Sequence, residues 1–147
     1  MLTMLETLIK RRSLTGYLFR YSDCTISWKV SLQNVVALST AEAEYTVTVA
    51  AIKEAIWLRG MMTDLGYEQK QVTVCCDSQS AIYLSKNQTH HEKTKHIDIK
   101  LHFVRLKVSK GVVKLMMIHI DENMANMLTK DLPGAKFEFC MNSTRIC

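Results

Sequence analysis

The chain has 147 residues, 48% of them apolar and 22% charged, with a formal net charge of +5. That is enough chain for one domain with a core of its own, and composition argues against a second. The longest charge-free stretch, Val30 to Ala41, is far short of the roughly 20 apolar residues of a membrane span, and no basic-then-apolar leader opens the sequence, so a location inside the cell, in cytoplasm or nucleus and not secreted, is expected.

Five cysteines, Cys24, Cys75, Cys76, Cys140 and Cys147, form an odd set without a C-x-x-C spacing. Neither a disulfide framework nor a zinc ribbon follows, and reduced thiols are expected.

Residues Met1 to Ile9 suit one or two helical turns as well as a short strand. Gly16 to Tyr21 and Thr25 to Val30 are rich in β-branched and aromatic residues around Ser22-Asp23, which predicts a hairpin. Ser39 and Glu42 stand at capping-box spacing, and Ala43, Val47, Ala50, Ala51, Ala55, Leu58, Met62 and Leu65 carry an apolar stripe to Gly66, which predicts a long helix. Val72 to Cys76 reads as a buried strand ending at Asp77, followed by a helix over Ser78 to Leu84 with Ser78 as its cap. From His96 to Val108 the apolar residues fit both a strand and a helix. Val112 to Ile120 is a strand candidate, and Asn123 to Lys130 a helix that Pro133-Gly134 closes or interrupts. The order predicts an α/β fold with a mixed sheet flanked by helices.

Charge is uneven along the chain. From Lys86 to Lys114 eight cations (Lys86, Lys93, Lys95, Lys100, Arg105, Lys107, Lys110, Lys114) face two acids, Glu92 and Asp98, so this stretch carries +6 and the remainder −1. Clustered positive charge suits a phosphate-binding face, and equally a solvated lysine-rich surface. Two carboxylates stand out: Asp77 where an apolar strand ends, and Glu44 in the first turns of the long helix, one position off its stripe. Acids gathered at such places need a divalent cation between them, although a Glu early in a helix also simply favours the dipole.

The blocks Lys10-Arg11-Arg12-Ser13-x-Thr15-Gly16-Tyr17, Ser27-Trp28-Lys29, Ala37-Leu38-Ser39-Thr40-x-Glu42-Ala43-Glu44-Tyr45, Glu54-Ala55-Ile56-Trp57-Leu58-Arg59, Cys76-Asp77-Ser78-Gln79-Ser80-Ala81, Lys93-Thr94-Lys95-His96-Ile97-Asp98 and Met127-Leu128-Thr129-Lys130 are in sequence order. Together they resemble the ribonuclease H domain of the Pol polyprotein (reverse transcriptase/ribonuclease H) of copia-type LTR retrotransposons. The resemblance covers residues 10–142, leaving 1–9 as a non-family segment and 143–147 as a tail. It implies a ribonuclease H-like mixed sheet, favours the helical reading of His96 to Val108, and implies hydrolysis of RNA in an RNA–DNA hybrid by two Mg²⁺ ions on four carboxylates.

Two of those carboxylates carry over, Glu44 and Asp77, as catalytic and metal-binding residues. The family's first Asp, on a central strand, falls at Met1 or before the chain starts, so that strand is expected to be missing or replaced by residues 1–9. The last Asp is replaced by Asn126, a neutral amide where two dications sit about 4 Å apart. His119 stands near the place of a loop His that assists product release, or is an ordinary strand-end His. The resemblance thus implies a truncated, inactive copy, and the uneven charge, rather than the resemblance, suits residual binding of hybrid or other nucleic acid through Lys93, Lys95, Lys100, Arg105 and Lys107. Alternatives are an active nuclease joined to an upstream reverse transcriptase segment, and a host-retained interaction module or gene fragment. The histidines at 90, 91, 96 and 102 lack cysteines at zinc-site spacing.

Overall fold

The computed structural model describes residues 12–87 and 95–145, and the side chains of 12–87 and 98–145. The expectations for residues 1–9, for Cys147 and for the side chains of His90, His91, Lys93, Lys95 and His96 lie outside these. The architecture is α/β, built as two compact units, residues Met1–Ala43 with Ile120–Cys147, and residues Glu44–His119. No helix among the described residues is long and apolar enough to cross a membrane.

The first unit opens with the hairpin. Strand β1 (Leu14–Tyr21) pairs antiparallel with β2 (Cys24–Leu32), from Leu14 opposite Leu32 to Tyr21 opposite Cys24. Ser22 supplies the positive φ, 55°, that a two-residue hairpin turn requires, and Arg20 donates to the Asp23 carbonyl at 3.3 Å. A register shift between Phe19 and Arg20 leaves Ile26 as an extra residue on β2, a bulge that bends that strand after the turn. At the far end the buried Gln33 accounts for two chain crossings: its N–H donates to Ser13 at 2.9 Å and its Nε2 to the Ala43 carbonyl at 3.0 Å.

The same unit ends in a 3₁₀ turn (Met124–Leu128), capped by Asn123, and a last helix, α4 (Gly134–Ser143). The turn lies so close to β1 that a methyl group at Gly16 would collide with Thr129 Cγ2. The Lys136 ammonium pairs with Asp121, and Thr25 N–H donates to Arg145 at 2.6 Å.

Helix α1 (Thr40–Asp64) starts where expected. Ser39 Oγ accepts from Glu42 N–H at 3.1 Å, while the Glu42 carboxylate reaches back one residue further than in a capping box, to Leu38 N–H at 2.8 Å. Its end is a Schellman turn: Tyr67 N–H donates to Met62, Gly66 N–H to Thr63, and Gly66 takes φ 86°.

In the second unit β3 (Val72–Cys76) and β4 (Val113–Met117) pair in parallel, Val72 opposite Val113 and Cys76 opposite Met117. Between them run α2 (Gln79–Lys86), capped by Ser78 Oγ on Ala81 N–H, and α3 (Lys95–Ser109), which ends at Gly111 with φ 65°. The core is Tyr45, Val49, Ile52, Ala55 and Leu58 of α1 with Val74, Ala81, Leu101, Val104, Val113 and Leu115.

Four expectations need correction. The described strands form two separate two-stranded sheets, one antiparallel and one parallel, rather than one mixed sheet. The buried stripe of α1 is turned toward Tyr45, Thr48, Val49 and Ile52, because residues 47–52 are apolar nearly all round and leave the phase open. Pro133-Gly134 starts a helix instead of closing one, as Pro, locked near φ −65°, suits a helix entry. Cys24 is disulfide-bonded rather than reduced, whereas Cys75, Cys76 and Cys140 are free thiols, as expected.

Candidate functional site

The carboxyl end of β3 receives the start of α1 through a buried polar contact. Thr48 Oγ1 lies 3.7 Å from Cys76 Sγ and donates to the Glu44 carbonyl one turn earlier at 3.0 Å. A threonine on an otherwise apolar stripe is what seats the helix there, and the i, i+4 spacing places Glu44 on the same flank. Asp77 follows Cys76 directly, where the strand gives way to the Ser78 cap of α2. Both acids are half-buried.

Cys76 reports that the two acids share surroundings. Burial pushes its thiol up; hydrogen bonds from the Ser78 backbone and Thr48 oppose this, and the charges of Asp77 and Glu44 add to the rise. His119 is exposed, two residues beyond β4, and leaves the parallel pair at the same end as Asp77, since Cys76 stands opposite Met117 and Ile118 N–H donates to Cys76 at 3.0 Å.

Asn126 belongs to the other unit, where it is buried. Its Nδ2 donates to the Ile120 carbonyl at 3.0 Å, and its own carbonyl accepts from Thr129 and Lys130. The amide thus acts as a donor, which a carboxylate cannot do. Among the described residues no group of three or more His, Cys, Asp or Glu could hold a metal ion. Glu44 and Asp77 by themselves do not fit a pair of Mg²⁺ ions, which needs more negative charge.

Of the cations expected to face phosphate, Lys100 and Lys107 are half-buried on α3. Arg105 is occupied elsewhere: its guanidinium donates to the carbonyls of Leu84, at 3.0 Å, and Asn87, closing the end of α2. Nothing in the sequence separated this arginine from its basic neighbours. His102 is exposed on α3.

Among the described residues three buried side-chain polar atoms lack a hydrogen-bond partner, Thr25 Oγ1, Tyr45 Oη and Arg105 Nε. Burial pushes the Tyr45 phenol up, against a smaller downward pull from Arg105. A phenol raised on folding stabilises the protein fully below its unfolded value and loses that contribution as pH rises. Denaturation midpoints of the wild type should therefore fall more steeply above about pH 10 than those of Tyr45→Phe. Parallel curves for the two would show that Tyr45 has no part in alkaline unfolding.

With this geometry in place, comparison with known proteins decides the relationship. The chain is 51% identical over 130 residues, 88% of its length, to the retrovirus-related Pol polyprotein from transposon TNT 1-94 of Nicotiana tabacum. It is 32% identical over 127 residues, 86% of its length, to that from transposon RE1 of Arabidopsis thaliana. The chain is homologous to part of the Pol polyproteins of copia-type transposons. It spans about a tenth of these Pol relatives, 10% and 9% of their lengths. A shorter likeness, 46% over 48 residues, covers 33% of the chain and 34% of the secreted RxLR effector protein 161 of Plasmopara viticola. No family model and no solved structure matches.

Proposed function

We propose that this chain is a ribonuclease H-like domain of a transposon Pol polyprotein that binds RNA–DNA hybrid without cutting it efficiently. The supporting observation is the Thr48–Cys76 seat, which gathers Glu44 and Asp77 at the end of β3. An antiparallel hairpin, a long helix and a parallel β3–β4 pair bridged by helices also follow the order that the ribonuclease H-like reading requires.

Cleavage of a phosphodiester by this class needs two Mg²⁺ ions, one to activate water and one to stabilise the leaving oxygen. Glu44 and Asp77 would contribute ligands, while Asn126 brings a neutral side chain whose nitrogen is already engaged with Ile120. No cleavage step is assigned to this donor set. His119, at the strand ends, would act on product only where a complete site exists. Binding would rest on the cations of α3 and the residues before it, and a place inside the cell, where hybrids form, follows from the reading.

The test uses a labelled hybrid with Mg²⁺ or Mn²⁺ and the purified chain. Retarded migration with the RNA intact is expected. Metal-dependent cleavage that Asp77→Asn abolishes would overturn the inactive reading. A second reading, an active ribonuclease in a longer polypeptide with an upstream reverse transcriptase segment, is favoured by the ten-fold greater length of the Pol relatives. Cleavage by such a polypeptide, and none by this chain, would establish it.

A further inference from the structure

Helix α3 carries Lys100, Phe103, Lys107 and, just past its end, Lys110 at alternating three- and four-residue steps. That spacing lines them along one flank, beside the stripe of Leu101 and Val104 that enters the core. Phe103 is where this flank meets α1. The Lys107 ammonium lies 5.7 Å from the centre of its ring, and the ammonium of Lys53, from the exposed side of α1, lies 6.0 Å from the same ring.

Two ammonium groups drawn to one ring repel each other. Among the described residues none of Lys53, Lys100, Lys107 or Lys110 has an ion-pair partner, so no described carboxylate neutralises the pair. The ring's quadrupole draws both ammonium groups toward it, which lowers the side-chain freedom to be lost when an anion arrives. Such a pair suits oxyanions spaced along a backbone, with Lys100 and Lys110 extending the line in both directions.

We infer that Lys53 and Lys107, organised by Phe103, form a phosphate-backbone clamp spanning α1 and α3. The inference deepens the proposed hybrid binding and rests on it. It moves the binding surface from a single basic segment to a two-helix face. Lys53 joins that face from outside the segment, and Arg105, turned to the end of α2, drops out of it.

The experiment measures the affinity of the full chain for a labelled RNA–DNA hybrid across a salt series. Each neutralised phosphate contributes about −0.9 to the slope of log affinity against log salt for duplex DNA, so Lys53→Ala with Lys107→Ala should flatten the slope by about 1.8. Lys29→Ala with Lys70→Ala removes the same charge from other exposed sites and should leave the slope close to that of the wild type. Phe103→Leu keeps both charges but releases them, so affinity at fixed salt should fall about two- to fivefold with the slope retained. Lys29, Lys53 and Lys70 are exposed and Lys107 half-buried, and circular dichroism of both double variants should match the wild type.

Equal slopes in the two double variants, or no change from Lys53→Ala with Lys107→Ala, would overturn the clamp while leaving hybrid binding intact. A wild-type chain that ignores hybrid at low salt would overturn the binding reading itself. Preference for polyglutamate over hybrid, with the same dependence on Lys53 and Lys107, would reassign the face to an acidic protein and likewise overturn the clamp.

Discussion

Replacing Asn126 by Asp should lower stability by about 1–3 kcal/mol and, by itself, restore no cleavage of hybrid. The side chain at this position is buried, and its Nδ2 donates to the Ile120 carbonyl at 3.0 Å. Asn126→Asp replaces that donor with an oxygen, so two acceptors face each other where one hydrogen bond stood. The loss should depend on pH in a stated direction. A protonated carboxyl can donate to Ile120, so the introduced group binds its proton more tightly in the folded chain than in the unfolded one. The deficit relative to the wild type should therefore shrink as pH falls toward about 4 and be full at neutral pH. Urea denaturation at pH 4 and pH 7 measures both. A variant as stable as the wild type at pH 7 that also cuts hybrid with Mg²⁺ would mean that the amide is an accidental replacement at a working ligand position.

The second large effect belongs to Arg105. Its guanidinium closes two carbonyls at the end of α2, and hydrogen bonds from a charged donor contribute more than neutral ones. Arg105→Ala should cost about 2–3 kcal/mol, since both carbonyls lose their partner, that of Leu84 in a partly buried place and that of Asn87 in an exposed one. Arg105→Lys should recover less than half of this, because one ammonium cannot match a planar fork. Where the folded protein persists, the salt slope of hybrid binding should stay at the wild-type value in both variants, in contrast to Lys53→Ala with Lys107→Ala. A flattened slope in Arg105→Ala would return this arginine to the binding face.

Much of the local structure was legible because signals agreed. The hairpin has β-branched strands on both sides of a polar dipeptide, and α1 has Ser39 and Glu42 at its start and Gly66 at its end. The helix over His96 to Val108 was undecided by pattern, since alternation and helical spacing share Ile97 and Leu101. Burial of Leu101 with Val104, three residues apart, is the helical answer. Helix α4 escaped notice because its large apolar residues Phe137, Phe139 and Met141 are exposed and only Cys140 is buried, so no stripe marks it.

For the site, Glu44 and Asp77 were selected as residues, but what brings them near one another was not. Thr48 sits among apolar neighbours and carries no mark of its contact with Cys76, 28 positions away. Arg105 and Lys107 differ by two residues in one basic run, and only the position of the helix shows one turned to backbone carbonyls and the other to an aromatic ring. Tertiary contacts of this kind leave no periodic trace.

The approach of the 3₁₀ turn to β1 sets a rule for how this sequence can drift. At Gly16 every other amino acid adds a Cβ, and even the smallest would strike Thr129. Any single-base change that alters the residue encoded there meets the same obstacle, so the codon has no neutral amino-acid neighbour to wander into. Gly16 thus marks a clock of its own: its persistence alongside Thr129 would report selection on the folded state, whatever happens to the chemistry.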